Sequence, residues 1–472
     1  MVLDEGPVAT ETEPADDEAL ERLRDRLLGR LKLQREVAGE FYRWYRCQQD
    51  PPDMPAAADY RPPFQRLRKM ARGAWARLVV DSIAERMVVQ GVHTTVGEEA
   101  DRQAWELLQA NRIDSDQRDV HTESFITGIS YASVAGDGDS VRITPETCLE
   151  VAHEPVPGDR RQTAAAIKLV GGDGEWLVEL YTPGLVASWT TSYRDPTRTP
   201  LADRARAAWG DPVVVANGLG AVPFVPFENR PTAATAGLSE LDELLPVMER
   251  IQELELAKLI GVYSVTFPQK WATGLAVSTE RDPETGQVKP PFESGPLRLW
   301  TTAAADAKFG AFPSGDIDQY LKAVDDEIAE LAAISRVPSY YFVQSNLANP
   351  PSAESLITSE TGLVTKCVDR QASFGESWER IVRLAASAAG LAEIADDTEL
   401  QIEWRSPERR NPAVIADAAT KLQAIGIPTQ ALWSFVGYSP QAIDRMRVEA
   451  AAEALELAAL APAVPTPTEG GS

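Results

Sequence analysis

Histidine and cysteine are scarce, three of each in 472 residues, and their placement excludes several chemistries. His93, His121 and His153 lie far apart, and Cys148 with His153 offers two ligands where zinc needs three or four, so no metal is expected. Cys47, Cys148 and Cys367 are odd in number and scattered, which argues for free thiols rather than a disulfide framework. No apolar run is long enough to cross a bilayer. The start, Met1-Val2-Leu3-Asp4-Glu5-Gly6-Pro7, lacks a basic n-region and an apolar core, so a cytosol-like compartment and no membrane partner are expected. A Gly-x-x-x-x-Gly-Lys-Ser/Thr phosphate loop is missing, and Gly218-Leu219-Gly220 runs into Pro223 where a dinucleotide fold needs a helix N-terminus. No Gly-x-Ser-x-Gly elbow occurs either, so neither a cofactor nor catalysis is expected. Basic side chains number 46 against 71 acidic, a formal net charge of −25, and such a surface repels nucleic acid as a whole. An acidic chain of this kind suits DNA only where DNA must slide. Its strongest positive patch is Arg61, Arg66, Arg68, Lys69, Arg72 and Arg77, whose plainer reading is a helix face paired with acidic neighbours.

What is present is an α+β chain, mostly α, long enough for about three domains. Residues 1–20 read as a disordered acidic tail. Helical periodicity follows at about 18–50, 63–87, 98–111 and 115–127. From Gly128 the period changes to that of strands. Segments 129–134 with 141–144, and 166–170 with 175–181, flank Gly/Asp turns and read as hairpins, and 185–193 and 213–216 continue the sheet. Asp137-Gly138-Asp139 lacks the following Gly and terminal Glu of a calcium loop and reads as a hairpin turn. Helix returns over about 239–263, with Pro246 near its start or at a bend. Residues 267–313 form an island rich in Pro, Gly, Thr and Lys, and 400–404 reads as a strand. Three helices then close the chain at 412–425, 429–436 and 440–460, the first two stopped by Gly426 and Gly437.

The most informative stretch is 316–390. Its first half is an acidic helix over 316–335 with one apolar seam of Ile317, Leu321, Val324, Ile328 and Leu331, stopped by Pro338. A second long helix opens at the N-cap Ser352 and carries Leu356, Leu363, Cys367, Phe374, Trp378 and Ile381 near one face. Gly362 and Gly375 interrupt it, marking a kink or a close helix crossing. Between the helices runs an uncharged loop, Tyr341-Phe342-Val343-Gln344-Ser345-Asn346-Leu347-Ala348-Asn349-Pro350-Pro351. It suits a segment that moves past a polyanion without gripping it. Two ordinary core helices explain the same periodicity. The acidic pairs Asp325-Asp326 and Asp396-Asp397 suggest a two-metal nuclease only if they converge, and solvated helix faces explain them more simply.

Several stretches, in consistent order, resemble the bacteriophage portal proteins of the SPP1-type family found in phages of actinobacteria. They are Ala74-Trp75-Ala76-Arg77-Leu78-Val79-Val80-Asp81-Ser82-Ile83-Ala84-Glu85-Arg86, Trp105-Glu106-Leu107-Leu108-Gln109-Ala110-Asn111, Gly128-Ile129-Ser130-Tyr131-Ala132-Ser133-Val134, Leu219-Gly220-Ala221-Val222-Pro223-Phe224-Val225-Pro226-Phe227-Glu228-Asn229-Arg230-Pro231, Phe267-Pro268-Gln269-Lys270-Trp271, Ile334-Ser335-Arg336-Val337-Pro338 and Pro351-Ser352-Ala353-Glu354-Ser355-Leu356. The resemblance implies a non-enzymatic ring, a dodecamer, at one capsid vertex, through which double-stranded DNA is packaged and later ejected.

On that resemblance the subunit comprises an α/β wing (21–238), a stem helix (239–264), a small α/β clip (265–315), a second stem helix (316–340), a tunnel loop (341–351), a kinked long helix (352–411), an α-helical crown (412–460) and a disordered tail (461–472). Its DNA-facing residues would be Gln344, Ser345, Asn346, Leu347, Ala348 and Asn349, with Lys322, Arg336 and Asp325 as further lumen contacts. Lys289, Arg298 and Trp300 of the clip would meet the terminase large subunit and, later, head-completion or adaptor proteins. Major capsid and scaffolding proteins are the other implied partners, and the implied location is the virion's portal vertex, with the host cytoplasm during assembly. Some tunnels of the family carry positive rings, whereas this loop is neutral and the helix before it is acidic apart from Lys322.

Overall fold

A computed structural model describes residues 17–53, 62–136, 138–172, 175–191, 209–232, 235–266, 270–274, 281, 306–312, 316–342, 352–408, 412–438 and 440–460. Helix takes up 54% of the described residues, and strands divide among several small sheets, an α+β fold dominated by α.

The chain opens with α1 (Asp17–Tyr45), α2 (Pro62–Met70) and α3 (Trp75–Ala84). The single helix expected over 63–87 is thus two helices, separated by the non-helical residues 71–74. β1 (Val89–His93), α4 (Glu98–Ala110) and α5 (Ile113–Thr127) follow. Next come β2 (Ile129–Ala135), β3 (Arg142–Glu146), β4 (Val151–Val156), β5 (Asp159–Gly172), β6 (Glu175–Tyr181), β7 (Leu185–Thr191), β8 (Val213–Ala216) and β9 (Phe224–Glu228).

The expected continuous sheet is in fact two. One is three-stranded in the order β3-β2-β9; the other is a five-stranded antiparallel meander, β4-β5-β6-β7-β8. α1 covers the second sheet, setting Leu20, Leu27, Leu28 and Leu31 against Ile167, Leu169, Val178, Leu180 and Trp189. It also blunts the β4 edge. Arg30 donates to the His153 carbonyl at 3.1 Å, and Gln34 donates to the Cys148 and Val151 carbonyls at 2.6 and 2.9 Å. Gly128 (φ +91°) ends α5 where a Cβ on Gly237 would lie 2.1 Å from the Gly128 carbonyl, so this crossing needs glycine.

The second half holds α6 (Leu245–Thr266), the antiparallel pair β10 (Lys270–Thr273) and β11 (Lys308–Ala311), and α7 (Asp318–Ser335). After it come α8 (Ala353–Ala388), α9 (Ala392–Ala395), β12 (Gln401–Trp404), α10 (Pro412–Ala424), α11 (Thr429–Val436) and α12 (Pro440–Leu460). Pro246 sits in the first turn of α6, where its missing N–H costs nothing. The principal core gathers around α8, whose Leu363, Cys367, Phe374, Trp378 and Ile381 are buried against α3, α5, β9 and α7. β12 returns to pair antiparallel with β1, closing a contact across some three hundred residues that no local pattern announces.

Candidate functional site at the helix pair and its loop

α6 and α7 run antiparallel. Arg250 reaches Glu327 and Glu330 at 2.8 and 2.9 Å, while further along Gly261 lies beside the Tyr320 ring. These pairs are exposed and set register more than stability, at roughly 0–1 kcal/mol each. One end of the hairpin is rooted in the core through Val247, Met248 and Ile251 of α6 and Val324, Ile328 and Leu331 of α7. The other end projects: Val262, Tyr263, Tyr320 and Leu321 are all exposed. The expected α7 seam therefore holds only from Val324 onward. Leu321 is 45% exposed and Ile317 half-buried, because the pair has left the core by that point.

Of the residues expected to face a lumen, Lys322 and Asp325 lie one turn apart on the exposed side of α7, and Arg336 is exposed at its C-terminal cap. A rise of 1.5 Å per residue separates Lys322 from Arg336 by about 20 Å, so they form a line along the helix rather than a cluster. Asp325 and Asp326 are adjacent and solvated, and among the described residues no group of three His, Cys, Asp or Glu could hold a metal. Gln344, Ser345, Asn346, Leu347, Ala348 and Asn349, and likewise Lys289, Arg298 and Trp300, lie outside the described residues. Of the basic patch, Arg61 is also outside them; Arg68 donates to the Pro52 carbonyl at 2.7 Å and Arg77 meets Asp81 at 3.2 Å.

The described structure defines both ends of the loop. α7 stops at Arg336, which takes the left-handed conformation (φ 58°). There Lys366 donates to the Ser335 carbonyl at 3.0 Å and pairs with Glu240 at 2.6 Å; Arg370 meets the same carboxylate at 2.9 Å. These groups line a cleft of about 410 Å³ with Arg230, Arg336 and Asp369. Burial alone would raise the Glu240 pKa, but the two cations more than offset it and hold the carboxyl below its usual range. Beyond Pro338 a short turn, Ser339–Tyr341, directs Tyr340 onto Glu360 and Tyr341 onto Arg86, and Phe342 packs near Trp75 with ring centroids 6.1 Å apart. Burial and the Glu360 hydrogen bond together push the Tyr340 hydroxyl well above its ordinary pKa. At the far end the Ser352 hydroxyl accepts from the Ser355 N–H at 3.1 Å, the expected cap. α8 is one uninterrupted helix. A Cβ added at Gly362 or Gly375 would meet Arg336 and Trp404 only at ordinary contact distances, 3.6 and 3.5 Å, so the expected kink or close crossing is not what these glycines serve.

Neither polar cluster was anticipated from sequence. The signal was present, however, since Glu360 and Arg370 fall in the same three-and-four spacing as Leu363, Cys367 and Phe374. A charged residue in step with an apolar seam must find a buried partner.

Sequence comparison assigns the chain to a family. The profile described as "Phage portal protein, SPP1 Gp6-like" matches residues 24–455. The portal protein of Mycobacterium phage D29 is 29% identical over 416 residues, covering 83% of this chain and 81% of that protein. The portal protein of Mycobacterium phage L5 is 28% identical over 419 residues, with the same coverage. Among solved structures, a chain from the "Virion of native gene transfer agent (GTA) particle" aligns at a TM-score of 0.45 and 12% identity, over 81% of this chain and 95% of that one. A chain from the "Neck of native GTA particle computed with C12 symmetry" aligns at 0.44 and 12%, over 85% and 99%. At that level the structures add nothing to the assignment, which stands on sequence. The chain belongs to the SPP1 Gp6-like family of phage portal proteins, structural proteins of the virion's head-to-tail junction.

Proposed function

We propose that copies of this subunit close into a ring, a dodecamer as in the family, whose axial channel carries double-stranded DNA into the head and later out of it. The observation that carries the reading is the rooted, projecting helix pair α6–α7. It is acidic on its exposed side and is followed by an uncharged segment tethered at Tyr341 and capped at Ser352. In this reading α6 and α7 form the stem and the β10–β11 pair between them belongs to the clip. Residues 341–351 are the tunnel loop, 21–238 the wing and 412–460 the crown. Carboxylates along α7 repel phosphates at short range, screened beyond about 8 Å at physiological salt, which favours sliding over gripping. Lys322 and Arg336 are the points where a phosphate would be held. Lys289, Arg298 and Trp300 of the clip would meet the terminase large subunit and then head-completion proteins; capsid and scaffolding proteins would surround the wing. Assembly takes place in the host cytoplasm, and the chain is a conduit with no catalysis of its own.

Native mass spectrometry and negative-stain imaging of the purified chain test the reading: a closed ring with an axial channel is expected, and a stable monomer overturns it. Deleting residues 344–349 should leave the ring intact while impairing DNA packaging or retention. Loss of the ring on that deletion would make the loop a structural joint instead. The rival reading, a metal-dependent nuclease, requires magnesium- or manganese-dependent cutting that Asp325→Ala and Asp326→Ala abolish.

A further inference from the structure

Arg86 follows α3 where the chain turns toward β1, and its side chain is 8% exposed. One guanidinium nitrogen, Nη1, donates to the Pro407 carbonyl at 2.8 Å. The other, Nη2, donates to the Tyr341 hydroxyl at 2.8 Å and lies 3.2 Å from Glu360 Oε1. That carboxylate oxygen also accepts from the hydroxyl of Tyr340 and, at 3.4 Å, of Tyr341. Pro407 belongs to the segment between β12 and α10 that leads into the C-terminal helices. The segment is held on its other side by the Arg405 N–H, which donates to the Val88 carbonyl at 2.8 Å. Arg86, Tyr341 and Pro407 also line, with Ile415 and Phe435, a cavity of about 630 Å³.

Two segments far apart in sequence therefore share one buried cation. A planar guanidinium serves several acceptors at once only in one arrangement, since its donors form a rigid fork. Displacing Pro407 either leaves a buried carbonyl unpaired or draws the fork away from Tyr341, and both outcomes cost free energy. We propose that Arg86 is a positioning residue that locks the turn Ser339–Tyr341 to the lead-in of the C-terminal helices, so that the two change arrangement only together. Its consequence for DNA rests on the conduit reading above; the coupling itself does not.

Hydrogen exchange on the purified full-length chain tests the coupling. Tyr341→Phe removes one hydroxyl and strands no charge. It should speed exchange at the Tyr341 and Phe342 amides alone. Arg86→Met combined with Glu360→Gln removes both charges, and it should speed exchange at those amides and at the Arg405 amide by about ten-fold or more. An unchanged Arg405 amide in the double variant overturns the proposal. So does a uniform acceleration along α8, which would mark plain destabilisation. Should the double variant fail to fold, Arg86→Lys keeps the charge without the fork and carries the same expectations. In phage particles, rings of the coupled-loss variant should assemble, as read by native mass spectrometry, yet retain less DNA. Assembled rings with full retention overturn the proposed consequence for DNA, whereas failure of the unsubstituted chain to form rings would instead overturn the conduit reading.

Discussion

Replacing Glu240 with Gln should be among the most damaging single changes away from the loop. The carboxylate is almost wholly buried, 2.6 Å from Lys366 and 2.9 Å from Arg370, and both cations are themselves buried. At an effective dielectric near 20, each contact is worth about 6 kcal/mol before desolvation, and desolvation cancels most of it. The intact cluster therefore adds little net stability. Removing the carboxylate is another matter, because Lys366 then stays buried without a counter-charge and Arg370 keeps only the exposed Asp369, at a cost of about 3–5 kcal/mol. Against a typical total of about 5–15 kcal/mol, that is a large share. Thermal unfolding followed by circular dichroism should show Glu240→Gln melting several degrees below wild type. Adding Lys366→Met should recover part of the loss, since Arg370 keeps Asp369 as a partner. The pH dependence provides a further check. The folded pKa is depressed, so the contribution is present above the unfolded value of about 4.5 and is lost as pH falls through the lower folded value. The gap between wild type and Glu240→Gln should close in strong acid. A variant within about 1 kcal/mol of wild type at neutral pH would refute the reasoning, as would a double variant worse than the single.

Gly362→Ala should stabilise the chain by about 0.5–1 kcal/mol in chemical or thermal unfolding. An added Cβ meets nothing nearer than 3.6 Å there, and the helical backbone suits Ala. His121 is fully buried, accepts from Trp378 Nε1 at 2.9 Å and lies 3.2 Å from the Met87 carbonyl; burial lowers its pKa to about 3. Below about pH 6.5 the unfolded chain binds a proton that the folded one refuses, so His121 lowers stability by about 1.4 kcal/mol per pH unit as pH falls. His121→Gln, which keeps one donor and one acceptor, should flatten that acid slope in pH-dependent melting relative to wild type. His153, lowered to about 4 chiefly by burial, continues to act in both proteins.

Local pattern made much of the secondary structure legible. The α11 and α12 bounds agree with the periodicity, the Gly/Asp turns mark real hairpins, and Ser352 caps α8. Where expectation and structure part, the reason is tertiary. The helix expected over 63–87 broke at residues 71–74 although its apolar spacing continued, and one strand series became two sheets because β2 chose β9 rather than β4 as its second neighbour. Leu321 matches the α7 seam in spacing, yet it lies beyond the point where the core ends. Of Lys322, Asp325 and Arg336, expected as lumen contacts, the structure shows that all three are exposed; the pairings of Arg86, Glu240, Glu360, Lys366 and Arg370 were not legible because, apart from Asp369 beside Arg370, their partners lie 19 to more than 300 residues away.

By itself the sequence determined the helical and strand periods, the acidic charge, the uncharged segment between two helices and, through the order of its packing motifs, the family. Those are local or cumulative properties, set by side-chain spacing and composition. Only the tertiary structure decided that β1 pairs with β12, that the α6–α7 pair is rooted at one end and free at the other, and that the turn Ser339–Tyr341 is clamped by Arg86 and Glu360. Such pairings depend on which distant groups share a dehydrated interior, where a buried charge must find its counter-charge, and no local spacing encodes that choice.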